Sequence, residues 1–265
     1  MPEGDTIHRA ARSLARALEG KTLAAFEARA PGLARAERAG RTVTGVEPRG
    51  KHLLLHFDDG WTLATHLRMT GSWHLYPRGE RWRKPRAWAR CVLSTESHDA
   101  VCFSAPVVEL LPTRELPLHP VLSRLGPDVL APDFDPAEGA ARLRAGADGT
   151  DLSLAELLLD QTLVSGIGNI WRAELQFLAR LDPLRPARER DASAYEALLT
   201  RAARLMRLNL DGRTRRTRPG PAGTAPLWVY DRAGQPCFRC RTPISRRSVG
   251  EDRRTLWWCS ACQVD

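Results

Sequence analysis

The chain has 265 residues, 43% of them hydrophobic, enough for one large or two ordinary domains, and 40 Lys and Arg against 31 Asp and Glu leave it at +9. No apolar run approaches the roughly 18 residues of a membrane-spanning helix, and the start lacks the basic region and apolar stretch of a secretory signal. The excess charge is mostly arginine, which suits a polyanionic partner, although GC-rich coding also raises arginine content.

Met1-Pro2-Glu3 opens the chain. A small second residue is the kind after which an initiator Met is removed, and removal turns Pro2 into a secondary amine able to attack a sugar C1′ and form an iminium. An α-amino group titrates near ~8, so a neutral fraction exists at pH 7, and Glu3 beside it is placed to move protons. The plain alternative is a frayed terminus. Ile7, Ala11, Leu14 and Leu18 then repeat as one helical stripe, with Asp5 as expected N-cap and Gly20 as stop. Pro2 and Glu3 would thus sit at the positive end of a helix.

From Thr22 the period changes to two. Strands are expected at Thr22–Arg29, Thr42–Pro48, His52–Phe57, Thr62–His66, Ser72–Tyr76, Trp88–Ser94, Ala100–Phe103 and Val107–Leu111, an antiparallel sandwich or flattened barrel without intervening helices. Lys51, entering the third strand after Gly50, is either solvent-facing or a phosphate ligand. His66 to Gly71 reads as a turn with Met69 at its tip, either a satellite core residue or a wedge that fills a gap in stacked bases. Cys91 and Cys102 stand apart and read as strand-packing residues.

Pro112, Pro117, Pro120, Pro127 and Pro132 mark an extended crossover. Helices are expected beyond it at about Pro136–Leu143, Ser153–Gln161, Ile170–Arg180 and Ala192–Leu210. Gly166-Ile167-Gly168-Asn169 lies between the second and third, where two glycines permit positive φ and let a helix start turn N–H groups toward a phosphate; a tight helical turn would need them for geometry alone. Asp211–Ala225, with Arg213, Arg215, Arg216 and Arg218, reads as a flexible loop, either a solvated linker or a segment ordered by nucleic acid. Near the end, Cys237-x2-Cys240 and Cys259-x2-Cys262 have the spacing of a four-thiolate zinc site. Four thiolates leave no open position, so one structural zinc ion is expected, in a reducing cytoplasm. Arg254, before Leu256-Trp257-Trp258, would sit at a hairpin tip.

Met1-Pro2-Glu3-Gly4, Arg49-Gly50-Lys51, His66 to Gly71, Leu157 to Gln161 leading to Gly166-Ile167-Gly168-Asn169, and Gln235-Pro236-Cys237 through Cys262 together resemble the Fpg/Nei family of bifunctional DNA glycosylases, in family order over nearly the whole chain. The resemblance implies an α+β fold: an N-terminal helix plus antiparallel β-sandwich (1–112), a Pro-rich crossover (113–135), a helical domain with a helix–two-turn–helix motif (136–226) and a four-Cys β-hairpin zinc finger (227–265). It implies that double-stranded DNA with a damaged base or abasic site lies between the domains. Pro2 is then the Schiff-base nucleophile and Glu3 the acid/base. Lys51 and Arg254 join the catalytic set while gripping phosphates with Asn169, and Arg68 and Met69 fill the gap left by the everted nucleotide. β- and δ-elimination follow.

Pro2-Glu3-Gly4-Asp5, Leu157 to Gln161 and Ser104-Ala105-Pro106 resemble the Nei branch, which removes oxidised pyrimidines. The Fpg branch carries an Arg and a Phe in the loop after Ser104, where this chain has Val107, Val108 and Glu109. Thr6 departs from the family's usual second Glu. A monomer is expected. Two rivals stand beside this reading: a catalytically silent DNA-binding protein on the same scaffold, and a zinc-ribbon RNA-binding protein.

Overall fold

The computed structural model describes every residue except 1, 34–36, 213, 222 and 265, so Met1 and Arg213 lie outside the described residues. The chain divides into two compact units, Met1–Arg124 and Leu125–Asp265.

The first unit opens with α1 (Gly4–Leu18), whose stripe of Ile7, Ala11, Leu14 and Leu18 is buried. Each large apolar side chain so buried stabilises by about 1.5–3 kcal/mol. The N-cap is Glu3, in extended conformation, and its carbonyl accepts from the Thr6 and Ile7 N–H groups at 2.8 and 3.1 Å. Asp5, expected at the cap, is instead inside the first turn, because the chain is already helical at Gly4. Gly20 leaves the helix at φ +72, as expected.

Eight strands follow: β1 (Ala25–Ala28), β2 (Val43–Arg49), β3 (His52–Phe57), β4 (Trp61–His66), β5 (Ser72–Pro77), β6 (Ala89–Ser94), β7 (His98–Phe103) and β8 (Val107–Pro112). They form two antiparallel sheets, ordered β1-β6-β7-β5 and β2-β3-β4-β8. Leu53, Leu55 and Leu63 from one sheet and Cys91, Leu93, Ala100 and Cys102 from the other share a core with α1. Cys91 and Cys102 pair across β6 and β7, fully buried, and burial pushes the Cys102 thiol up. The first strand is shorter than its pattern suggests: Thr22 makes only an isolated bridge to Thr42. Two single 3-10 turns, Pro31–Leu33 and Arg86–Trp88, interrupt the strands. The proline-rich stretch, expected to be extended, winds into 3-10 turns at Thr113–Leu118 and Leu122–Arg124; proline's fixed φ suits that winding as well as extension.

The second unit contains α2 (Pro136–Ala147), α3 (Leu154–Leu157), α4 (Asn169–Ala179), α5 (Ala192–Leu208) and a hairpin of β9 (Ser245–Val249) and β10 (Arg254–Trp258). The Asp135 carboxylate caps α2, accepting from Ala137 N–H at 2.8 Å. α3 is a single turn where a helix to Gln161 was expected. It ends at Leu157 and tightens into i→i−3 bonds from Leu159 and Asp160, after which the Asp160 carboxylate accepts from Thr162 N–H at 2.8 Å, a local bond that competes with resuming the helix. Leu143, Leu157, Val164, Trp171 and Leu198 belong to one core. Ala173 and Phe177 of α4 belong to another, with Leu256, Cys237 and Cys259 of the finger.

The described part of the loop expected to be flexible is irregular yet tied down. Asn209 accepts from Arg216 N–H at 2.6 Å and donates to Arg216 O at 3.0 Å. The Arg218 guanidinium lies 4.0 Å over the Phe238 ring.

Candidate nucleic-acid interface and metal centre

Pro2, Glu3, Lys51, Arg68 and Met69 belong to the first unit; Asn169, Arg254 and the four cysteines belong to the second. Pro2 is half-buried and Glu3 fully buried at the start of α1. Anionic groups are favoured there by the orphan N–H groups and the helix dipole.

Lys51 is not the first residue of a strand. Gly50, at φ +58, and Lys51 form the two-residue loop of a hairpin closed by the Arg49–His52 pair. His52 faces His66 across β3 and β4, with ring centroids 4.5 Å apart. Burial, then the charges of Lys51 and Arg68, pull His66 down to about 4. Burial, then His66 and His119, pull His52 down to about 3. Both imidazoles are therefore neutral at pH 7, chiefly because burial disfavours their charged forms.

Beyond His66 the chain turns sharply. Arg68, exposed at φ +44, donates its N–H to His66 Nδ1 at 3.2 Å, which leaves the ring proton on Nε2. Gly71 is required here: a Cβ would meet the Leu67 carbonyl oxygen at 2.7 Å. Met69 at the tip is 60% exposed, so it is no core residue. β8 begins at Val107, paired with His66, so Val107, Val108 and Glu109 lie in the strand expected there. Only Ser104, Ala105 and Pro106 connect β7 to β8.

In the second unit Gln161 folds the helical hairpin. Its amide donates to the Leu159 and Ile167 carbonyls at 2.9 and 3.1 Å and accepts from Gly166 N–H at 3.1 Å. Of the two glycines only Gly166 takes positive φ, +98, while Gly168 is the extended N-cap of α4. Asn169 opens α4 and donates to Thr255 O at 3.0 Å. The Asn169 oxygen accepts from Arg172 Nε–H at 2.8 Å. Arg172 is 1% exposed and also donates to Ala155 O at 2.9 Å and to Arg254 O and Thr255 O, each at 3.3 Å. The structure thus brings Asn169 to the backbone of Thr255, the neighbour of Arg254, whose exposed side chain is 3.7 Å from the Asp252 carboxylate. Sequence reasoning missed Arg172; an arginine three residues after Asn169, on the same helix face, was the available signal. It missed Glu174 as well, whose buried carboxylate accepts from Trp228, Val229 and Tyr230 N–H groups at 2.8–2.9 Å.

Cys237, Cys240, Cys259 and Cys262 converge, with their sulfurs all within 4.8 Å of one another. Cys237–Cys262 and Cys240–Cys259 sulfur separations are 3.9 and 3.4 Å. Tetrahedral Zn–S bonds of about 2.3 Å put sulfurs about 3.8 Å apart, so this donor set fits such an ion. Hydrogen bonds from Thr242 draw Cys240 down to about 6. Burial and the neighbouring sulfurs push Cys259 and Cys262 up, a conflict that a dication in the centre would relieve.

Residues 1–106 match the formamidopyrimidine-DNA glycosylase N-terminal domain family, and residues 125–218 the formamidopyrimidine-DNA glycosylase H2TH domain family. A probable endonuclease 8 2 of Streptomyces coelicolor is 41% identical over 267 residues, covering 100% of this chain and 94% of the relative. The DNA-(apurinic or apyrimidinic site) lyase Nei2 of Mycolicibacterium smegmatis is 36% identical, covering 100% and 99%. Endonuclease 8 of Escherichia coli is 33% identical, covering 99% and 100%. Among solved structures, Lactococcus lactis formamidopyrimidine-DNA glycosylase bound to DNA containing an abasic site superposes with a TM-score of 0.80 at 23% identity, covering 99% of this chain and 100% of that one. At that identity the likeness speaks to the fold. Among the described residues, no helix is long and apolar enough to cross a membrane.

Proposed function

The chain belongs to the Fpg/Nei family of DNA-repair glycosylases and AP lyases, and we propose that it excises oxidised pyrimidines through a Pro2 Schiff base and then cleaves the strand. The observation that carries this reading is the pairing of Pro2 with Glu3, a carboxylate without solvent exposure at the N-terminal end of α1.

The target nucleotide leaves the stack, since C1′ and the base are unreachable inside it. The Pro2 nitrogen attacks C1′ as the glycosidic bond breaks and the base departs with a proton. Glu3 protonates the sugar ring oxygen as the ring opens, and an iminium joins Pro2 to C1′. The iminium acidifies C2′–H; loss of that proton expels the 3′-phosphate. A second elimination expels the 5′-phosphate and leaves a one-nucleotide gap. Lys51, Asn169 and Arg254 hold phosphates, and Arg68 and Met69 occupy the vacated stack. Zinc on the four cysteines holds the finger and supplies no chemistry. The partner is damaged double-stranded DNA, met by a monomer in the cytoplasm. The three-residue β7–β8 connection supports the pyrimidine branch, because it leaves no loop to carry opposite-strand probes. The domain limits at 112, 135 and 226 remain part of this proposal.

The test is borohydride trapping on duplexes carrying thymine glycol or dihydrouracil, and on a twin carrying 8-oxoguanine opposite cytosine. An adduct on the pyrimidine duplex, blocked when Met1 is retained, is expected. An adduct on 8-oxoguanine alone would overturn the branch, and no adduct even on abasic DNA would overturn the chemistry.

A further inference from the structure

The β5–β6 connection has a composition unlike the rest of the chain. From Arg78 to Trp88 five cations face one anion, Glu80, a net +4 of the chain's +9. Arg78 donates locally to Thr95 O at 2.7 Å, and Lys84 to Ser72 Oγ at 2.8 Å. Arg81, Arg83 and Arg86 are exposed. Two tryptophans interleave with them and behave oppositely. Trp82 is buried, edge-on to Phe103 at 5.8 Å, with the Arg86 guanidinium 4.4 Å over its ring. Trp88 is 53% exposed, and of the eight tryptophans it alone is exposed.

That exposure is held in place by the backbone. Arg29 donates to Arg86 O at 2.9 Å, and Ser104 N–H donates to Trp88 O at 2.8 Å. The Ser104 carbonyl in turn accepts from Thr70 Oγ1 at 2.9 Å. One residue therefore joins the turn that displays Met69 to the turn that displays Trp88. An exposed indole on a pinned loop that also carries three exposed arginines has the make-up of a base-stacking platform with phosphate contacts. The charge selects a polyanion over an apolar protein surface. An exposed indole offered for stacking selects unpaired bases, because bases inside a duplex already stack on both sides.

We propose that the β5–β6 connection is a binding site for single-stranded DNA, with Trp88 stacking on an unpaired base and Arg81, Arg83 and Arg86 contacting phosphates. This rests on the reading of the first unit as a DNA-binding surface, and it extends that surface from damaged duplex to strands that are open beside the lesion.

The probe is undamaged oligothymidylate of about 12 nucleotides, within the range one such site spans, so no step of the excision chemistry is involved. Fluorescence anisotropy compares the full chain with Trp88→Ala and Trp88→Phe, on the single strand and on a duplex of equal length. Trp88→Ala is expected to weaken single-strand binding by about 5- to 100-fold, the loss of one stacked base, and duplex binding by a smaller factor. Trp88→Phe should recover most of the loss, and Arg83→Ala should lower the single-strand salt slope by about 0.7. Equal losses on single strand and duplex, or no loss on the single strand, overturn the proposal. Borohydride trapping on abasic duplex with the same preparations reports on the Pro2 reading separately.

Discussion

Arg172→Met removes the guanidinium bonds between the start of α4 and the finger while broadly keeping the side chain's volume. The guanidinium is 1% exposed and serves Asn169 Oδ1, Ala155 O, Arg254 O and Thr255 O. Thr255 O keeps the Asn169 amide at 3.0 Å, so three acceptors lose a charged donor. A buried acceptor left unsatisfied costs about 1–3 kcal/mol, and relaxation recovers part of it. The expected destabilisation is therefore about 3–5 kcal/mol, read as a lowered urea midpoint of the second unit. Function should change in a way that bulk stability does not dictate. With its carbonyl released, Arg254 shifts, and cleavage of abasic duplex should stall after β-elimination, as in Arg254→Ala. Arg254 is exposed, so Arg254→Ala should leave the midpoint within about 0.5 kcal/mol of the parent. A normal product ratio in Arg172→Met under conditions where it is folded would refute this account, as would a loss below about 1 kcal/mol.

Glu3→Gln should lose excision of an oxidised pyrimidine yet retain some cleavage at preformed abasic sites; unchanged excision would remove Glu3 from the proton transfers. A chelator should unfold the finger and weaken DNA binding, because a closed thiolate site supplies folding free energy; unaltered circular dichroism and binding after metal loss, confirmed by elemental analysis, would count against a structural ion. Acid should destabilise the first unit through His52 and His66. In the unfolded chain both protonate near ~6.5, but folded they stay neutral down to about 3 and 4. The unfolded state therefore takes up protons first, and stability present above ~6.5 is lost toward pH 4, by less than about 1.4 kcal/mol per pH unit per half-buried ring. His66→Asn should flatten the pH dependence of the urea midpoint, and parallel curves for variant and parent would contradict it.

The elements legible in the sequence were those set by local chemistry. Period-two runs placed all eight strands, and the four cysteines announced their own convergence. The failures share a cause. Ser153–Gln161 looked helical because Leu154, Leu157 and Leu158 repeat at helical spacing, but Asp160 makes a competing side-chain bond that periodicity does not register. Asp5 looked like the cap because its residue type fits, while the cap is a carbonyl, Glu3 O, a role any residue can fill. Asp211–Ala225 looked flexible from its composition, although Asn209 and Arg216 close it with bonds between residues that carry no pattern. At the site, residues that touch DNA in the proposal were legible, whereas those that hold them, Arg172 and Gln161, were not. Most of their partners are backbone groups, which the sequence does not write.

β10 shows why the supporting residues matter as much as the displayed ones. It has five residues, and both ends are fixed from outside the hairpin. Arg254 and Thr255 are held by Asn169 and Arg172, and Cys259, next after Trp258, enters the four-sulfur cluster. Leu256 between them is fully buried in the core that includes Phe177 of α4. A short strand fixed at both ends presents the Arg254 side chain at a set place, and releasing either end frees it. Metal removal and Arg172→Met therefore act on one element and should not add: chelating the variant should cost much less further DNA affinity than chelating the parent, with a coupling of about 0.5–3 kcal/mol. Independent, additive losses would mean that the metal and α4 support different parts of the finger.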